Sequence, residues 1–174
     1  MRKAMRILRR FTRDRLGASA VEFALLVPVL LLLLLGTVTL FDLFRNLQSV
    51  EKATFTVGDM MSRETGMDKA KLNSMLALMR QMVPTARDGG LRVSSISRQG
   101  EKLIVNWSEP VGDNVPSTPL PADILPEIAD GDSVLLTESF VPHRALADIA
   151  GFEVILFQAR AAHRPRFVSA IKFQ

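Results

Sequence analysis

The stretch LGASAVEFALLVPVLLLLLLGTVTLF, residues 16 to 41, decides how the chain is organised. Its last 19 residues, Phe23 to Phe41, carry no charge. As an α-helix rising about 1.5 Å per residue, this run would reach roughly 28 Å, close to the thickness of a bilayer core. The run is longer than the apolar region of an ordinary secretory signal, and no small-x-small cleavage site follows it. The stretch therefore predicts a retained transmembrane helix.

Charge is distributed unevenly on the two sides of this helix. The first 16 residues hold seven basic residues and one acid, a net charge of +6, whereas the whole chain carries +4, so the remainder carries −2. Basic residues beside an apolar run normally stay in the cytoplasm, which favours a basic topogenic flank inside and a domain outside. Arg9 and Arg10 lack the rest of a twin-arginine motif. The acidic remainder argues against a nucleic-acid partner.

Glu22 is the one charge within the apolar stretch. An ionised group in a membrane helix costs on the order of 2–3 kcal/mol at mid-bilayer and less near the interface. Physics alone leaves two interpretations open. The carboxylate of Glu22 either reaches the head groups at the interface or is retained to pair with a buried positive charge.

The residues Gly17-Ala18-Ser19-Ala20-Val21-Glu22-Phe23 resemble the processing site of type IV pilin-like precursors. In that family a basic leader ends in Gly, a membrane-embedded aspartyl peptidase cuts after it, and Glu is the fifth residue of the mature chain. A cut between Gly17 and Ala18 makes Glu22 the fifth residue here. Across about residues 13–45, the pattern G-x-x-A-V-E-F-A-L-x-x-P is similar to the TadE/TadG-like minor pilins, or pseudopilins, of tight-adherence (Flp, type IVb) pilus systems. Phe23 stands where major Flp pilins usually have Tyr.

The resemblance implies a set of site residues and partners. Gly17, Ala18, Glu22 and Phe23 would form the site recognised by a prepilin peptidase. Glu22 would then pair with the new amine on Ala18 of a neighbouring subunit. The implied partners are that peptidase, other pilins or pseudopilins, the pilus assembly machinery and the membrane. Pro28 leaves the carbonyl of Ala24 without its helical partner, so we expect a kink there and count Pro28 as a second assembly residue.

The fold class expected for the whole chain is α+β. After Phe41 the helix should continue into water, because apolar residues recur at spacings of three and four. These residues are Gly36, Leu40, Leu43, Leu47, Val50, Thr54, Val57 and Met61. The favoured interpretation is that the protein's own domain covers this stripe, and the alternative is pairing with a partner's helix.

Downstream of Gly66 we expect a second helix and a small antiparallel sheet. Asp68 can cap that helix, Pro84 ends it, and the methionines within it should be core residues. The apolar face of the helix comprises Leu72, Met75, Leu76, Met79, Met82 and Val83. A hairpin should turn at 98–101, residues 109–133 should form a proline-rich loop, and further strands are expected. Those strands are Ser133–Val141, Phe152–Ala159 (which also suits a helix) and a final edge strand at Phe167–Phe173.

The predicted organisation has four parts. They are a basic prepilin-type leader at 1–17, a transmembrane helix at 18–41, an extramembrane helix extension at 42–64 and an exported α+β domain at 65–174. The protein would be a single-pass protein of the inner membrane with its N-terminus in the cytoplasm, and it would enter a pilus when assembled.

The sequence carries no recognisable catalytic constellation. His143 and His163 have no carboxylates or cysteines at metal-ligand spacing, and there is no cysteine at all. Asp130-Gly131-Asp132 lacks the remaining ligands of a calcium loop and favours a plain turn. The basic cluster Arg160, His163, Arg164 and Arg166 is interpreted as a solvated turn. No phosphate-binding or nucleophile motif occurs, so we expect no enzyme, no metal and no cofactor.

Two function classes follow. The first is a prepilin-like minor pilin that takes part in assembling a tight-adherence pilus after cleavage. The alternative is a bitopic membrane-anchored envelope protein whose exported domain binds a ligand or partner. An anchored hydrolase is a third and weaker possibility, because no motif supports it.

Overall fold

A computed structural model describes residues 15–118, 120, 125, 127–144 and 154–174, with only the backbone of 15–18. Most of the predicted leader, three loop prolines (Pro119, Pro121 and Pro126) and the predicted strand start at Phe152 lie outside these residues. The described elements, in chain order, are α1 (Arg15–Ser62), β1 (Gly66–Met67), α2 (Lys69–Met82), β2 (Gly90–Gln99), β3 (Lys102–Gly112), β4 (Ser133–His143), β5 (Ile155–His163) and β6 (Lys172–Phe173). The expected α+β class is confirmed.

The helix α1 runs without a break for 48 residues. The chain divides into two compact units at the Phe41–Asp42 bond, and α1 contributes to both. In the first unit its apolar side chains are bare, with Leu25 72% and Phe41 69% exposed. Within the described residues, α1 is the one helix long and apolar enough to cross a membrane. It fits a single-pass membrane anchor, because lipid would cover the apolar side chains that the first unit leaves exposed.

The second unit is built on a four-stranded antiparallel sheet with the order β3-β2-β4-β5. One face of the sheet packs against α1 and α2. From Leu43 onward the predicted stripe of α1 lies in this core, with Val50, Val57 and Met61 completely buried. The buried hydroxyl of Thr54 also hydrogen-bonds that of Ser139 on β4 at 2.6 Å. The interpretation that the protein's own domain covers this part of α1 is confirmed.

The helix α2 begins and ends as predicted. The Asp68 side chain caps it by accepting a hydrogen bond from the Lys71 amide at 2.7 Å, and Val83 closes it before Pro84. Its inner face buries Leu72, Leu76 and Met79. Met82 was predicted on that face and is instead 37% exposed, whereas the following Val83 is buried as predicted.

The opposite face of the sheet is covered in part by the segment that precedes β4. Ile128 of that segment packs with Ile96, Val134 and Leu136 in a second small apolar cluster. Beside this cluster, the pairing of β2, β4 and β5 aligns Arg92, Glu138 and Arg160 across three strands. Glu138 is fully buried between the two arginines, with the Arg92 Nε 2.6 Å from its Oε2 and the Arg160 Nε 3.1 Å from its Oε1.

Three of the predicted strand boundaries were wrong. The strand β3 continues to Gly112 through Pro110, although residues 109–112 were assigned to the loop. A proline is tolerated there because β3 is an edge strand, where a missing N–H need not break a ladder. The strand β5 extends to His163 and is not helical. The final strand is only Lys172–Phe173, and it lies outside the main sheet.

The C-terminal segment instead returns to the link between the two helices. The strand β6 pairs in parallel with β1, so that Gly66 aligns with Lys172 and Met67 with Phe173. The indole N–H of Trp107 on β3 donates to the Ile171 carbonyl at 2.7 Å. This segment thus connects β3 to the chain between α1 and α2.

Candidate processing and assembly segment

The predicted cut lies inside α1. Gly17 and Ala18 both have helical backbone, so the peptide bond between them is part of a continuous helix. A helical peptide bond is shielded by its neighbouring turns, and cleavage would require local unwinding. Glycine destabilises a helix interior by about 1 kcal/mol relative to alanine, so Gly17 lowers the cost of that unwinding.

Glu22 lies on the same helix face as Ala18, because residues four apart are neighbours on a helix surface. Its side chain is exposed, and it has no ion pair or hydrogen bond within the part of the chain that the structure describes. Phe23 beside it is 62% exposed. The segment therefore presents an exposed carboxylate and an exposed aromatic ring at the start of a run, Phe23 to Phe41, that carries no charge.

Pro28 lies inside α1, and the helical residues continue on both sides of it. Its side chain is exposed. The helix tolerates the lost hydrogen bond of Ala24, as membrane helices generally do. The kink at this residue stays a prediction.

Both histidines of the second unit pack against aromatic rings. His143 is 3% exposed and stacks on Phe157 at 5.0 Å, with its Nε2 3.3 Å from Oδ2 of Asp42. His163 packs against Phe55 at 4.7 Å, and both its ring nitrogens are shielded from water and have no hydrogen-bond partner in the described part of the chain. Burial lowers the pKa of His163, which keeps the ring neutral. No three metal-type ligands come together among the described residues.

The C-terminal basic cluster is used in ion pairs with carboxylates on other elements. Arg160 pairs with Glu138, Arg164 pairs with Asp132, and Arg166 pairs with Asp59 at the end of α1. Because these charges are already neutralised, the cluster does not form an anion site.

The predicted turn at 130–132 is present. Gly131 adopts a positive φ of 81°, and Oδ1 of Asp130 accepts a hydrogen bond from the Gly100 amide at 2.6 Å. Asp132 is held by Arg164. These carboxylates therefore fasten the β2–β3 hairpin and the C-terminal segment to the turn that precedes β4.

Sequence reasoning missed the buried ion pairs of Glu138. The signal was available, because Glu138 is a charged residue in the middle of the stretch predicted to be a buried strand. A buried carboxylate requires a partner. The partners themselves, Arg92 and Arg160, could be found only once the strand register was known.

Comparisons with known proteins agree with the resemblance noted in the sequence. Residues 17–58 match the family model described as TadE-like protein, and this match covers 42 of the 174 residues. No curated protein and no solved structure matches the chain. The match begins at Gly17, the residue predicted to precede the cut, and ends within α1. The segment from Gly17 to Gly58 therefore matches the TadE-like protein family, as the sequence predicted.

Proposed function

We propose that this protein is a prepilin-like minor pilin, or pseudopilin, that takes part in assembling a tight-adherence pilus. In this proposal a prepilin peptidase cuts between Gly17 and Ala18. The observation that carries the proposal is Glu22. It is an exposed carboxylate in an apolar stretch of α1, without an ion pair or hydrogen bond among the residues that the structure describes, and it stands at the fifth position after the glycine at which the TadE-like match begins.

Cleavage would change the electrostatics of this segment in two ways. It removes residues 1–17 with their net charge of +6, and it creates an ammonium group on Ala18. In a low-dielectric environment this ammonium and a Glu22 carboxylate attract each other far more strongly than at a protein surface. An unpaired Glu22 in the same environment is penalised. The pair therefore favours packing of a cleaved helix against a neighbouring pilin helix at one register.

The four predicted parts of the chain take their roles from this mechanism. Residues 1–17 are a disposable leader, 18–41 span the inner membrane, 42–64 extend the helix and 65–174 form the exported domain. The N-terminus stays in the cytoplasm because of its basic residues. In this proposal the protein is a substrate of the peptidase and has no enzymatic activity of its own.

The structure limits where partner helices can pack on α1. Between Leu43 and Met61 the inner face is occupied by the protein's own sheet and α2. The outer face remains open at residues spaced four, three and four apart, which are Phe44, Gln48, Glu51 and Phe55. Neighbouring pilins would therefore contact residues 18–41 from any side and the extension only along this outer face.

The mass of the mature N-terminus tests the proposal. We expect a chain that starts at Ala18 in cells with the peptidase and at the original N-terminus in cells without it. The variant Gly17→Ala should remain uncut, because it stabilises the helix and adds bulk beside the scissile bond. Ser19→Ala, two residues beyond the cut, is the matched control and should be processed. An uncut wild-type chain, or a Gly17→Ala chain that is cut and assembled normally, would contradict the proposal.

A second candidate function rests on the extent of the family match, which stops at Gly58. The exported domain then belongs to a bitopic envelope protein and binds a ligand or partner of its own. Cross-linking and purification from cells that form pili distinguishes the two. Recovery of pilins and assembly proteins supports the pilin role, and recovery of unrelated envelope proteins alone supports the binding role.

A further inference from the structure

The arginines of the second unit divide into two groups. Ten arginines follow Phe41 in the sequence. Seven of them bind a carboxylate or a carbonyl group. These seven are Arg63, Arg80, Arg92, Arg98, Arg160, Arg164 and Arg166. The other three, Arg45, Arg87 and Arg144, are exposed and make no ion pair or side-chain hydrogen bond within the described residues.

The three unpaired arginines lie at one end of the unit. Arg87 and Arg144 line the same open hollow of about 480 Å³. Arg45 precedes Asn46 on α1, and the Asn46 Oδ1 accepts a hydrogen bond from the Thr85 hydroxyl in the wall of that hollow, at 3.2 Å. These contacts place the start of the domain part of α1, the segment after α2 and the end of β4 side by side.

This end of the unit is also where the chain leaves its charge-free run. Asp42 is the first charged residue after Phe41. Its Oδ1 accepts from the Asn46 amide at 3.0 Å, and its Oδ2 lies 3.3 Å from the buried His143 that precedes Arg144. Because α1 is long enough to cross a bilayer up to Phe41, residues 42–46 come at the level of the lipid head groups. Everything that touches them is then within reach of those head groups.

We propose that the exported domain docks on the head-group layer of its own membrane through Arg45, Arg87, Arg144 and Val154, here called the arginine surface. Guanidinium groups recognise phosphate oxygens with paired hydrogen bonds, and anionic head groups attract basic residues held close to the membrane. Val154 is 52% exposed beside the hollow, so an apolar side chain accompanies the cations.

The charge of the arginine surface fits lipid phosphates. Among the described residues two acids lie at the same end, Asp42 and Asp88, and Asp42 already accepts a hydrogen bond from the Asn46 side chain. Within the described part of this end, the three arginines therefore outnumber the acids. Residues 145–153 lie outside the described residues and are not part of this surface. The inference rests on α1 spanning a membrane and not on the pilus role.

The absence of cysteine makes a direct test possible, because one introduced thiol can carry one label. The uncleaved full chain is reconstituted into vesicles of phosphatidylethanolamine and phosphatidylglycerol that contain head-group spin-labelled lipid. A fluorophore on Val154→Cys reports the arginine surface. A fluorophore on Leu103→Cys reports the opposite end of the sheet, because Leu103 pairs with Arg98 beside the β2–β3 turn. We expect several-fold stronger quenching at position 154 than at 103, and equal quenching would overturn the proposal.

A charge variant distinguishes docking from mere proximity. Each basic residue near an anionic membrane contributes a factor of about five, so Arg87→Gln with Arg144→Gln should lower the ratio of docked to undocked domain on the order of thirtyfold. The matched control is Lys69→Gln with Lys102→Gln, which removes the same charge from the far end and should leave quenching unchanged. Circular dichroism and Trp107 fluorescence verify that each variant is folded.

The lipid composition supplies the final readout. Replacing phosphatidylglycerol by phosphatidylcholine should weaken quenching at position 154 in the wild type and have little effect on the arginine variant. If quenching at position 154 changes neither in the arginine variant nor when the anionic lipid is replaced, this end merely lies near the bilayer. That result would overturn the proposal. None of these measurements uses the peptidase or other pilins, so their failure is separate from failure of the pilin role.

Discussion

Glu138 and Arg92 form an ion pair in the interior of the sheet, with the Arg92 Nε 2.6 Å from the Glu138 Oε2. The side chain of Glu138 is completely buried and that of Arg92 is 7% exposed. Arg160 reaches the other carboxylate oxygen from the edge strand, where it is 30% exposed. The two arginines thus bind the same carboxylate, but Arg92 loses more of its hydration than Arg160 because it is more deeply buried.

Removing the carboxylate should therefore be strongly destabilising. We expect Glu138→Ala to lower the free energy of unfolding by about 3–5 kcal/mol, because Arg92 is left as a buried and uncompensated charge. Arg160→Gln should cost clearly less, since water can replace part of that pair. Urea unfolding of the full chain in detergent, followed by Trp107 fluorescence, measures both. If the two variants lose the same free energy of unfolding, leaving the buried Arg92 without its carboxylate carries no added cost, and the expectation is wrong.

Gly58 of α1 faces His163 of β5. A Cβ atom at Gly58 would come within 2.8 Å of Nδ1 of His163 and 3.2 Å of the Thr137 hydroxyl. Replacing a helical glycine by alanine ordinarily stabilises by about 1 kcal/mol. Here the overlap should reverse the sign, and we expect Gly58→Ala to destabilise by about 1–3 kcal/mol.

Two further variants make the test of Gly58 specific. Gly36→Ala has open space around its Cβ and should follow the ordinary helix preference. Adding His163→Ala to Gly58→Ala should recover part of the loss, because the obstructing ring is gone. Thermal unfolding by circular dichroism provides the comparison, and a Gly58→Ala protein as stable as the wild type would contradict the packing described.

His163 should make the domain sensitive to mild acid. Burial lowers the pKa of its ring in the folded state, and although Asp59 opposes this effect, Arg166 adds to it. The unfolded chain therefore takes up the proton first. The stability that neutral His163 contributes is complete above the unfolded pKa of about 6.5 and is lost as the pH falls from there toward the lower folded value.

The measurement is urea unfolding between neutral pH and about pH 5, where a histidine of ordinary pKa titrates. His163→Leu should flatten the pH dependence in that window. Asp59 acts in a separate and more acidic window. The hydrogen bond from Arg63, with added attraction from Arg166, holds the pKa of Asp59 below its usual range, so its contribution is lost only as the pH falls through that folded value. If the free energy of unfolding of His163→Leu changes with pH as steeply as that of the wild type, His163 is not the source of the pH dependence.

Glu22→Ala should separate membrane insertion from assembly. The variant should insert at least as well as the wild type, because a charge has been removed from an apolar helix. It should nevertheless fail to enter pili if Glu22 binds the amine of a neighbour. Comparing the amount of protein in membrane and pilus fractions gives the result, with Glu22→Asp as a charge-conserving control. Incorporation of Glu22→Ala at the normal rate would identify Glu22 as a plain interfacial carboxylate.

Features that repeat along a helix or depend on neighbours in sequence were predictable. The stripe from Leu43 to Met61 follows helical spacing over several turns, and the cap at Asp68 depends on an amide three residues away. Both arise from local geometry, so the sequence alone contains the information. The TadE-like segment was recognisable for the same reason, since its glycine, glutamate and proline stand at fixed spacings.

Features set by distant parts of the chain were not predictable. Pro110 is tolerated in β3 only because that strand is at the edge of the sheet, and strand order is not visible in the sequence. The short strand β6 depends on a partner near Gly66 that periodicity does not indicate. Arg87 and Arg144 are far apart in sequence, and they line one hollow only because the α2–β2 segment and the end of β4 lie side by side.

The pairing of β1 with β6 also fixes when the second unit can be completed. Met67 pairs with Phe173, so the two-stranded sheet cannot form until that residue has been synthesised. At about 5–20 residues per second, synthesis of the segment after α1 takes on the order of 5–20 s. Until β2 to β5 have been made, the inner stripe of α1 has no strands to cover it. A newly inserted chain thus passes through a stage in which a chaperone, or the helix of another subunit, can occupy the surface that the finished domain will later close.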